Sequence, residues 1–402
     1  MKKHIYFDHN ATTPVSTKVL SRLHEGVALW GNPSSIHWAG QQTKTLLRVA
    51  RQNVATALGV SPLEIIFTNG GSESNNTVIK SLFQQFKNSE TRNEYITSTV
   101  EHPSVLGAFR YLETQGAVVH FLNVDLQGNI DLAHYKKVLS EKTVLVCVMA
   151  ANNETGVLFP IEEMVKLAHD VGAKFHSDCV QIFGKLPLDL KKMGVDFASF
   201  SAHKFYSLKG AGVLYSKKGS EILPLIHGGG QERHRRGGTE NTLGIFSLGL
   251  MAEEISEVSK KALAVEALRN HLEKRILAEI SEVTVTHSGA KRLPNTSSLV
   301  LSDVDGETLL MSLDVKGFAV STGAACSSGS PEPSPGLLAV GLTREQAQSS
   351  MRVSLGWEST LEQVDEFVDT LNSVVEHLRD LNPNYKKSKM KQVLASQLKE
   401  KR

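Results

Sequence analysis

The chain contains one short motif, Ser201-Ala202-His203-Lys204, whose side chains are suited to binding a carbonyl-containing cofactor. It follows the apolar run 196–200, so we expect Lys204 at the end of a buried strand. Burial favours the neutral amine of a lysine, and a neutral amine is a nucleophile toward carbonyl groups. With the Ser201 hydroxyl and the His203 imidazole available for a phosphate, the motif indicates a lysine that holds pyridoxal phosphate as a Schiff base. Taken alone, the four residues are explained more simply by a surface lysine at a strand end.

Four further polar positions would complete such a site if they lie near Lys204. Gly70-Gly71-Ser72 separates a strand from a helix, where backbone amides favour a phosphate. Asp178 ends a strand and needs a positive partner, which a protonated pyridine nitrogen would supply. His102 precedes a helix and could stack on the cofactor ring and move protons. Arg352, on a strand with apolar neighbours, suits a substrate carboxylate. Each position also has a structural explanation: an ordinary turn, a helix cap or ion pair, a structural histidine and a structural salt bridge.

The three cysteines, Cys147, Cys179 and Cys326, have an odd count and no CxxC spacing, which argues against a disulfide framework and against a structural zinc site. Cys147 lies in an apolar run and Cys179 follows Asp178, and packing explains both. Cys326 lies among glycine, alanine and serine residues, so we expect a mobile loop with an exposed, nucleophilic thiol; a plain surface cysteine is the alternative. The cysteine pattern indicates a reducing cytoplasm.

Length and composition limit the class of protein. A chain of 402 residues is too long for one ordinary core, so two domains are expected. The formal net charge of +2 gives no reason to expect nucleic acid as a partner. No apolar run is long enough to span a bilayer, and the N-terminus lacks the apolar core of a signal peptide, so neither a membrane partner nor secretion is expected.

The hydrophobic pattern over residues 41–178 alternates between strands and helices. Strands are expected over 64–68, 95–100, 118–124, 144–150 and 174–178, and helices over 41–58, 77–86, 103–114 and 161–171. Such alternation predicts an α/β fold with a mostly parallel sheet flanked by helices, in which ligands bind at the carboxyl ends of the strands. That rule places the polar clusters at 69–73, 101–102 and 152–154 near Asp178 and Lys204.

The two ends of the chain follow a different pattern. Residues 1–40 are expected to be irregular because turn residues dominate them, and the basic tail from Lys386 is expected to be a solvated terminus or a weak amphipathic docking face. Helical patterns run over 242–280, and a smaller α+β unit follows residue 294, with strands over 298–301, 319–321 and 351–355 and helices over 307–314 and 361–378. We therefore predict a large cofactor-binding domain over 21–259 and a small α+β domain over 1–20 and 260–402, which carries the N-terminal arm and the cysteine loop 322–335.

Seven segments, in their order along the chain, resemble the cysteine desulfurases of the class V aminotransferase fold. They are Tyr6-Phe7-Asp8-His9-Asn10-Ala11-Thr12-Thr13-Pro14, Gly31-Asn32-Pro33-Ser34-Ser35, Glu101-His102, Ala151-Asn152-Asn153-Glu154-Thr155-Gly156, Ser201-Ala202-His203-Lys204, Gly228-Gly229-Gly230-Gln231-Glu232-Arg233 and Ser321-Thr322-Gly323-Ala324-Ala325-Cys326. The similarity runs from Tyr6 to about Leu381. It implies the type I fold of pyridoxal-phosphate enzymes. The long cysteine loop resembles the branch that serves iron–sulfur cluster assembly, and the N-terminal segment is closest to nitrogen-fixation-type members.

The resemblance implies a role for each site residue. Lys204 binds the cofactor covalently and then removes a proton, Cys326 attacks the substrate sulfur, and His102 stacks on the cofactor ring. The residues implied in cofactor binding are Gly71, Ser72, His102, Asn153, Asp178, Gln181, Ser201, His203, Lys204 and Thr239. Arg352, helped by Asn153, would bind the substrate carboxylate. Because the resemblance places Thr239 in the neighbouring subunit's site, it implies a homodimer.

The implied reaction converts L-cysteine to L-alanine and leaves a persulfide on Cys326 for an acceptor protein, such as an iron–sulfur scaffold. No intrinsic metal is expected, although Cys326 is a candidate transient ligand of an iron–sulfur cluster. The alternatives are selenocysteine lysis, another class V transaminase or lyase reaction, and a non-catalytic role in sulfur transfer. Loss of Lys204 or Asp178 would indicate the last of these, and both residues are present. Cys179, Val180 and the proline-rich stretch after Cys326 depart from the usual family pattern.

Overall fold

The structure is a computed structural model and describes residues 4–322, 333–383 and 385. Cys326 and the basic tail from Lys386 lie outside these residues. The strands, numbered along the chain, are β1 (Ile5–Tyr6), β2 (Ile65–Thr68), β3 (Glu94–Ser98), β4 (Val118–Leu122), β5 (Thr143–Cys147), β6 (Lys174–Asp178), β7 (Phe197–Ser201), β8 (Gly212–Ser216), β9 (Val283–Val285), β10 (Thr296–Leu301), β11 (Phe318–Ala319) and β12 (Ser350–Ser354).

The helices connect these strands and cover their faces. They are α1 (Thr17–Ala28), α2 (Trp38–Ala57), α3 (Gly71–Phe86), α4 (Pro103–Thr114), α5 (Leu132–Val138), α6 (Ile161–Asp170), α7 (Leu190–Met193), α8 (Thr242–Ala252), α9 (Val258–Glu279), α10 (Gly306–Lys316), α11 (Pro335–Ala339), α12 (Arg344–Gln348) and α13 (Leu361–Leu381). In the described residues no helix is long and apolar enough to cross a membrane.

The expectation that residues 1–40 are irregular is wrong, because α1 lies within them. The Ser16 side chain caps this helix by accepting a hydrogen bond from the backbone N–H of Lys18. The helix buries Val19 and packs on α8, where a Cβ atom on Gly26 would lie 2.7 Å from the Phe246 ring. This close helix–helix contact stabilises α1, and the local sequence gives no sign of it.

The central sheet has seven strands in the order β2-β8-β7-β6-β5-β3-β4. Only β8 runs antiparallel to its neighbours, so the predicted mostly parallel sheet is confirmed. Each residue of β5 and of β7 is buried, because helices cover both faces of the sheet. Along β7, Phe197 packs in the hydrophobic cluster on one face and Phe200 in the cluster on the other. The parallel arrangement brings the carboxyl ends of β2, β3, β5, β6 and β7 to one edge.

A third hydrophobic cluster joins the two ends of the chain. It contains Ile5 and Phe7 from the N-terminal arm together with buried residues between Val265 and Val375. Strand β1 pairs in parallel with β11, and β10 lies between β12 and β9 in a three-stranded antiparallel sheet. This packing brings β12, and with it Arg352, toward the edge of the central sheet. The predicted bounds of the two domains stay a prediction.

Candidate active site

A cavity of about 190 Å³ opens at the carboxyl edge of the central sheet. Its walls come from strand ends, the start of α3, the N-terminal arm and β12. The lining residues are Asn10, Ala11, Gly71, Ser72, Asn75, His102, Met149, Ala151, Asn153, Asp178, Val180, Gln181, Ser201, His203, Lys204 and Arg352. The structure therefore brings together each described residue that the sequence predicted for the cofactor or substrate, with the exception of Thr239.

Lys204 ends the short 3₁₀ turn that follows β7. Its amine donates hydrogen bonds to the backbone carbonyl oxygens of Asn10 at 2.5 Å and of Ala11 at 2.6 Å. Both acceptors are uncharged backbone oxygens, and these two contacts hold the amine at the cavity. A lysine held by two carbonyl oxygens can exchange those bonds for a covalent bond to a carbonyl cofactor.

Asp178 ends β6 and is 6% exposed. Its two oxygens accept from separate donors: Asn75 Nδ2 at 2.8 Å and the backbone N–H of Val180 at 3.0 Å. Two fixed donors hold the carboxylate in one orientation at the cavity wall. A buried carboxylate in this position is suited to hold a proton on a ring nitrogen.

His102 is the N-cap residue of α4, and its Nδ1 accepts from the backbone N–H of Ser104 at 3.1 Å. Burial lowers the pKa of His102, against the opposing effect of the Asp178 carboxylate, so the ring is neutral near pH 7. Because Nδ1 accepts from an N–H group, the proton of the neutral ring lies on Nε2. The cavity therefore has a flat, uncharged ring with one donor on its wall.

The opposite end of the cavity is suited to a phosphate. Gly71 and Ser72 begin α3, a helix of 16 residues, so backbone N–H groups and the positive end of the helix dipole face the cavity. A Cβ atom on Gly71 would lie 2.7 Å from Val180 Cγ2, so glycine permits this close approach of the helix. Burial lowers the pKa of His203 to about 4, and its Nδ1 lies 3.0 Å from the Thr12 hydroxyl. Ser201 adds a hydroxyl to the same wall.

Arg352 is 2% exposed and lies on the side of the cavity formed by β12. Its Nη2 bonds the Asp8 carboxylate at 2.6 Å, and its Nη1 donates to the backbone carbonyl of Asn153 at 3.0 Å. Its buried Nε has no hydrogen-bond partner among the described residues. Leaving a buried charged donor unpaired is costly, which favours binding of an anion such as a carboxylate beside it.

Two predicted site residues are not among the described residues that line the cavity. Cys326 lies outside the described part of the chain. The residues that flank its segment are held near the cavity, because Ser321 pairs with Arg352 through two backbone hydrogen bonds and the Ser334 hydroxyl bonds the Glu154 carboxylate at 2.8 Å. Thr239 is exposed in this single chain. Its predicted role in a neighbouring subunit stays a prediction.

The sequence analysis gave no site role to four residues that the structure places at or beside the cavity: Asp8, Asn10, Asn75 and Lys185. Asp8 and Asn10 lie in a segment that carried the family resemblance, and that signal could have identified them. Asn75 follows Gly71 by one helical turn. Lys185 follows Gln181 by four residues, and no sequence signal distinguishes it from a surface lysine.

The described residues fit pyridoxal phosphate. The groups that line the cavity include a helix N-terminus with a neighbouring hydroxyl, a buried carboxylate and a lysine amine that bonds the N-terminal arm. Among the described residues no cluster suited to a metal ion is present. The two described cysteines, Cys147 and Cys179, are buried and free.

Comparisons with known proteins agree with this geometry. The aminotransferase class-V family matches residues 5–367. The chain is 42% identical over 385 residues to a protein named cysteine desulfurase IscS from Dictyoglomus turgidum, covering 95% of this chain and 97% of that protein. It is 42% identical over 382 residues to a protein named cysteine desulfurase NifS from Azotobacter vinelandii, covering 94% of each.

Solved structures show the same likeness. A structure titled NifS-like protein superposes with a TM-score of 0.87 at 37% identity, covering 93% of this chain and 100% of that one. A structure titled SspA in complex with cysteine superposes with a TM-score of 0.77 at 33% identity, covering 88% of this chain and 99% of that one.

Proposed function

Because this chain belongs to the class-V aminotransferase family of pyridoxal-phosphate enzymes, we propose that it is a cysteine desulfurase. The observation that carries the proposal is the cavity itself, which Lys204 and Asp178 share with an arginine whose buried Nε has no hydrogen-bond partner among the described residues. The first two residues serve amino-acid chemistry on the cofactor, and Arg352 serves the carboxylate of an amino-acid substrate. The names of the relatives support cysteine as that amino acid.

The residues of the cavity divide the chemistry between them. When bound, pyridoxal phosphate supplies an electron sink for carbanion chemistry at the carbon next to the substrate nitrogen. Gly71, Ser72, Ser201 and His203 would hold its phosphate, and Asp178 would keep a proton on the ring nitrogen. The amine of Lys204 would act as the base that removes the Cα proton of bound L-cysteine. His102 would lie against the ring, with its Nε2 proton available to a reacting group.

Sulfur transfer requires a nucleophile, and Cys326 is the cysteine that we propose for it. Its thiolate attacks the substrate sulfur, so that an S–S bond forms while the C–S bond breaks and its electron pair stays with carbon. Protonation of that carbon, and return of the Cα proton from the Lys204 ammonium group, give alanine. Cys326 follows the anchored Ser321 by five residues, and five extended residues span at most roughly 17 Å. Cys147 and Cys179 do not suit this role, since both are fully buried and burial raises the pKa of each thiol.

The partners belong to the same proposal. A homodimer in which Thr239 completes the phosphate site of the neighbouring subunit is supported by the exposure of Thr239 beside a glycine-rich turn. The persulfide sulfur on Cys326 passes to an acceptor protein such as an iron–sulfur scaffold, in the cytoplasm that the cysteine pattern indicates.

The decisive experiment measures alanine and sulfide released from L-cysteine in the presence of a thiol reductant. We expect equal amounts of both products from the wild type, and neither from Cys326→Ala, which should keep the absorption spectrum of the bound cofactor. Cys147→Ala, which removes a buried thiol, is the matched control and should stay active.

Two results would contradict the proposal. Full activity of Cys326→Ala would remove the persulfide step. A wild type that binds the cofactor but releases alanine only from selenocysteine, or transfers an amino group to a keto acid instead, would assign the site to one of the other class V reactions.

Arg352→Lys is expected to raise the KM for L-cysteine because lysine keeps the charge but lacks the planar fork. A hydrogen bond to a charged group contributes about 1.5–3 kcal/mol, so kcat/KM should fall roughly 10- to 100-fold. The cofactor spectrum should not change. Arg379→Lys, at a buried arginine that bonds only backbone and serine oxygens in the contacts described, controls for general destabilisation. An unchanged KM in Arg352→Lys would place substrate binding elsewhere.

A further inference from the structure

A second lysine lies directly behind the cavity and has no part in the reaction described above. Lys185 is 8% exposed, which is unusual for a lysine that bonds no carboxylate. Its amine donates to Gln181 Oε1 at 2.5 Å and to Asn10 Oδ1 at 2.7 Å. Both acceptors are neutral amide oxygens of residues that line the cavity.

Asn10 links this lysine to the rest of the site. Its Nδ2 donates to the Asn153 carbonyl at 3.1 Å and to the Thr296 hydroxyl at 2.9 Å. Its backbone carbonyl accepts from Gln181 Nε2 at 3.0 Å and from the Lys204 amine. We call these contacts of Asn10, Gln181 and Lys185 the Asn10 network. Asn10, Gln181 and Lys185 are all buried, so the hydrogen bonds among these three residues are shielded from water.

The Asn10 network decides which way the Gln181 amide points. An amide side chain can present either its oxygen or its NH₂ group to a neighbour, and only the surrounding donors and acceptors select between them. Lys185 is a donor and Asn10 O is an acceptor, so the oxygen of Gln181 faces Lys185 and the NH₂ group faces Asn10. One of the two N–H bonds of that NH₂ group is used by Asn10, and the other is available to a ligand in the cavity.

The electrostatic surroundings agree with a donor role that needs no charge. Burial lowers the pKa of the Lys185 amine well below its ordinary value, and the charges of Lys204 and Arg352 lower it further. Asp8 acts in the opposite direction, and His9 also faces the amine. A neutral amine still has two N–H groups, one for each of the two amide oxygens that Lys185 bonds.

We propose that Lys185 is a positioning residue, which fixes the Gln181 amide so that an N–H group faces the phenolic oxygen of the bound cofactor. If Gln181 were reversed, its oxygen would face that electron-rich oxygen and repel it. Lys185 thus acts on the cofactor through Gln181, without touching it. The inference rests on the pyridoxal phosphate of the proposed function, but not on the persulfide step.

The test compares holoenzymes of Lys185→Met, Gln181→Ala and the double variant by absorption spectroscopy and by cofactor dissociation. Methionine has a similar length and no donor. We expect Lys185→Met to shift the absorption band of the bound cofactor and to weaken its binding about tenfold, the effect of one lost hydrogen bond. Gln181→Ala should shift the band in the same direction. The double variant should show no larger change than Gln181→Ala alone, because the two residues act in sequence.

Lys174→Met is the matched control, since Lys174 bonds Asp196 away from the cavity, and its spectrum should equal that of the wild type. If Lys185→Met does not fold, Lys185→Leu, which also lacks a donor, replaces it in the same comparison. Additive effects in the double variant, or an unshifted band in a folded Lys185 variant, would overturn the proposal. Because the spectra need no turnover, a wild type that releases no alanine would contradict the desulfuration and leave this result standing.

Discussion

Lys204→Ala is expected to reduce alanine formation from L-cysteine by at least about 10⁴-fold, the upper range for loss of a general base. In the proposed mechanism the variant loses two functions together, since the same amine would hold the cofactor covalently and remove the Cα proton. The hydrogen bonds from Lys204 to the carbonyls of Asn10 and Ala11 are lost too. Both acceptors lie in the N-terminal arm, which is also held by the pairing of β1 and by hydrogen bonding to the His203 carbonyl. The fold should therefore survive.

The measurements are single-turnover alanine formation and the absorption spectrum after removal of free cofactor. Lys217→Ala, at an exposed lysine that directly follows β8, is the matched control and should keep both. A Lys204→Ala variant that retains covalently bound cofactor after borohydride reduction would show that another lysine serves the site. Lys185 would be the first candidate, because it bonds Asn10 and Gln181.

Asp178→Asn is expected to lower kcat by roughly 10²–10⁴-fold while leaving the protein folded. The neutral amide cannot hold a proton on the ring nitrogen, so the electron sink is lost. The local hydrogen bonds can adjust: Val180 N–H can still donate to an amide oxygen, and Asn75 can reverse its own amide. The buried Oδ1 of Asn75 has no hydrogen-bond partner among the described residues, so this reversal would give it one.

The spectrum of the bound cofactor and the melting temperature separate the two effects of Asp178→Asn. We expect a shifted absorption band and a melting temperature close to that of the wild type. Asp189→Asn, an exposed N-cap that keeps its capping oxygen, is the control for loss of one negative charge. A wild-type kcat in Asp178→Asn would remove the ring nitrogen from the mechanism.

Much of the central sheet followed from local patterns. The helix over 103–114 and the strand over 174–178 were predicted with the bounds that the structure shows, Pro103–Thr114 and Lys174–Asp178. Both have clear local signals. The helix has a proline in its first turn, and the strand is a short run of residues that ends at the acidic Asp178. Helix α1 was missed because turn residues surround it and its stability comes from packing on α8. Strand β8 was missed because its first residue, Gly212, belongs to a glycine-rich turn signal.

The candidate site divides in the same way. Lys204, Asp178 and His102 each follow a strand or precede a helix of one sheet, and parallel strands place their carboxyl ends together, so the sequence was sufficient to group them. The contacts between Asp8 and Arg352, 344 residues apart, and between Asn10 and Lys185, 175 residues apart, were not accessible in this way. They depend on the pairing of β1 with β11 and on the packing of the N-terminal arm against β12.

Residue types and their spacing were sufficient to predict the chemistry proposed for this protein: the lysine, the carboxylate, the cysteine and the alternation of strands and helices that brings the first two to one edge. How those groups are held depends on tertiary packing. The orientation of the Gln181 amide, the anchoring of Arg352 and the burial of Lys185 arise from side chains that meet only after distant segments pack. The bonds of Asn10 to Gln181 and Lys185 close loops of 171 and 175 residues, and the bond between Asp8 and Arg352 closes one of 344. Local propensity and spacing act over a few residues, so the sequence pattern does not contain these contacts.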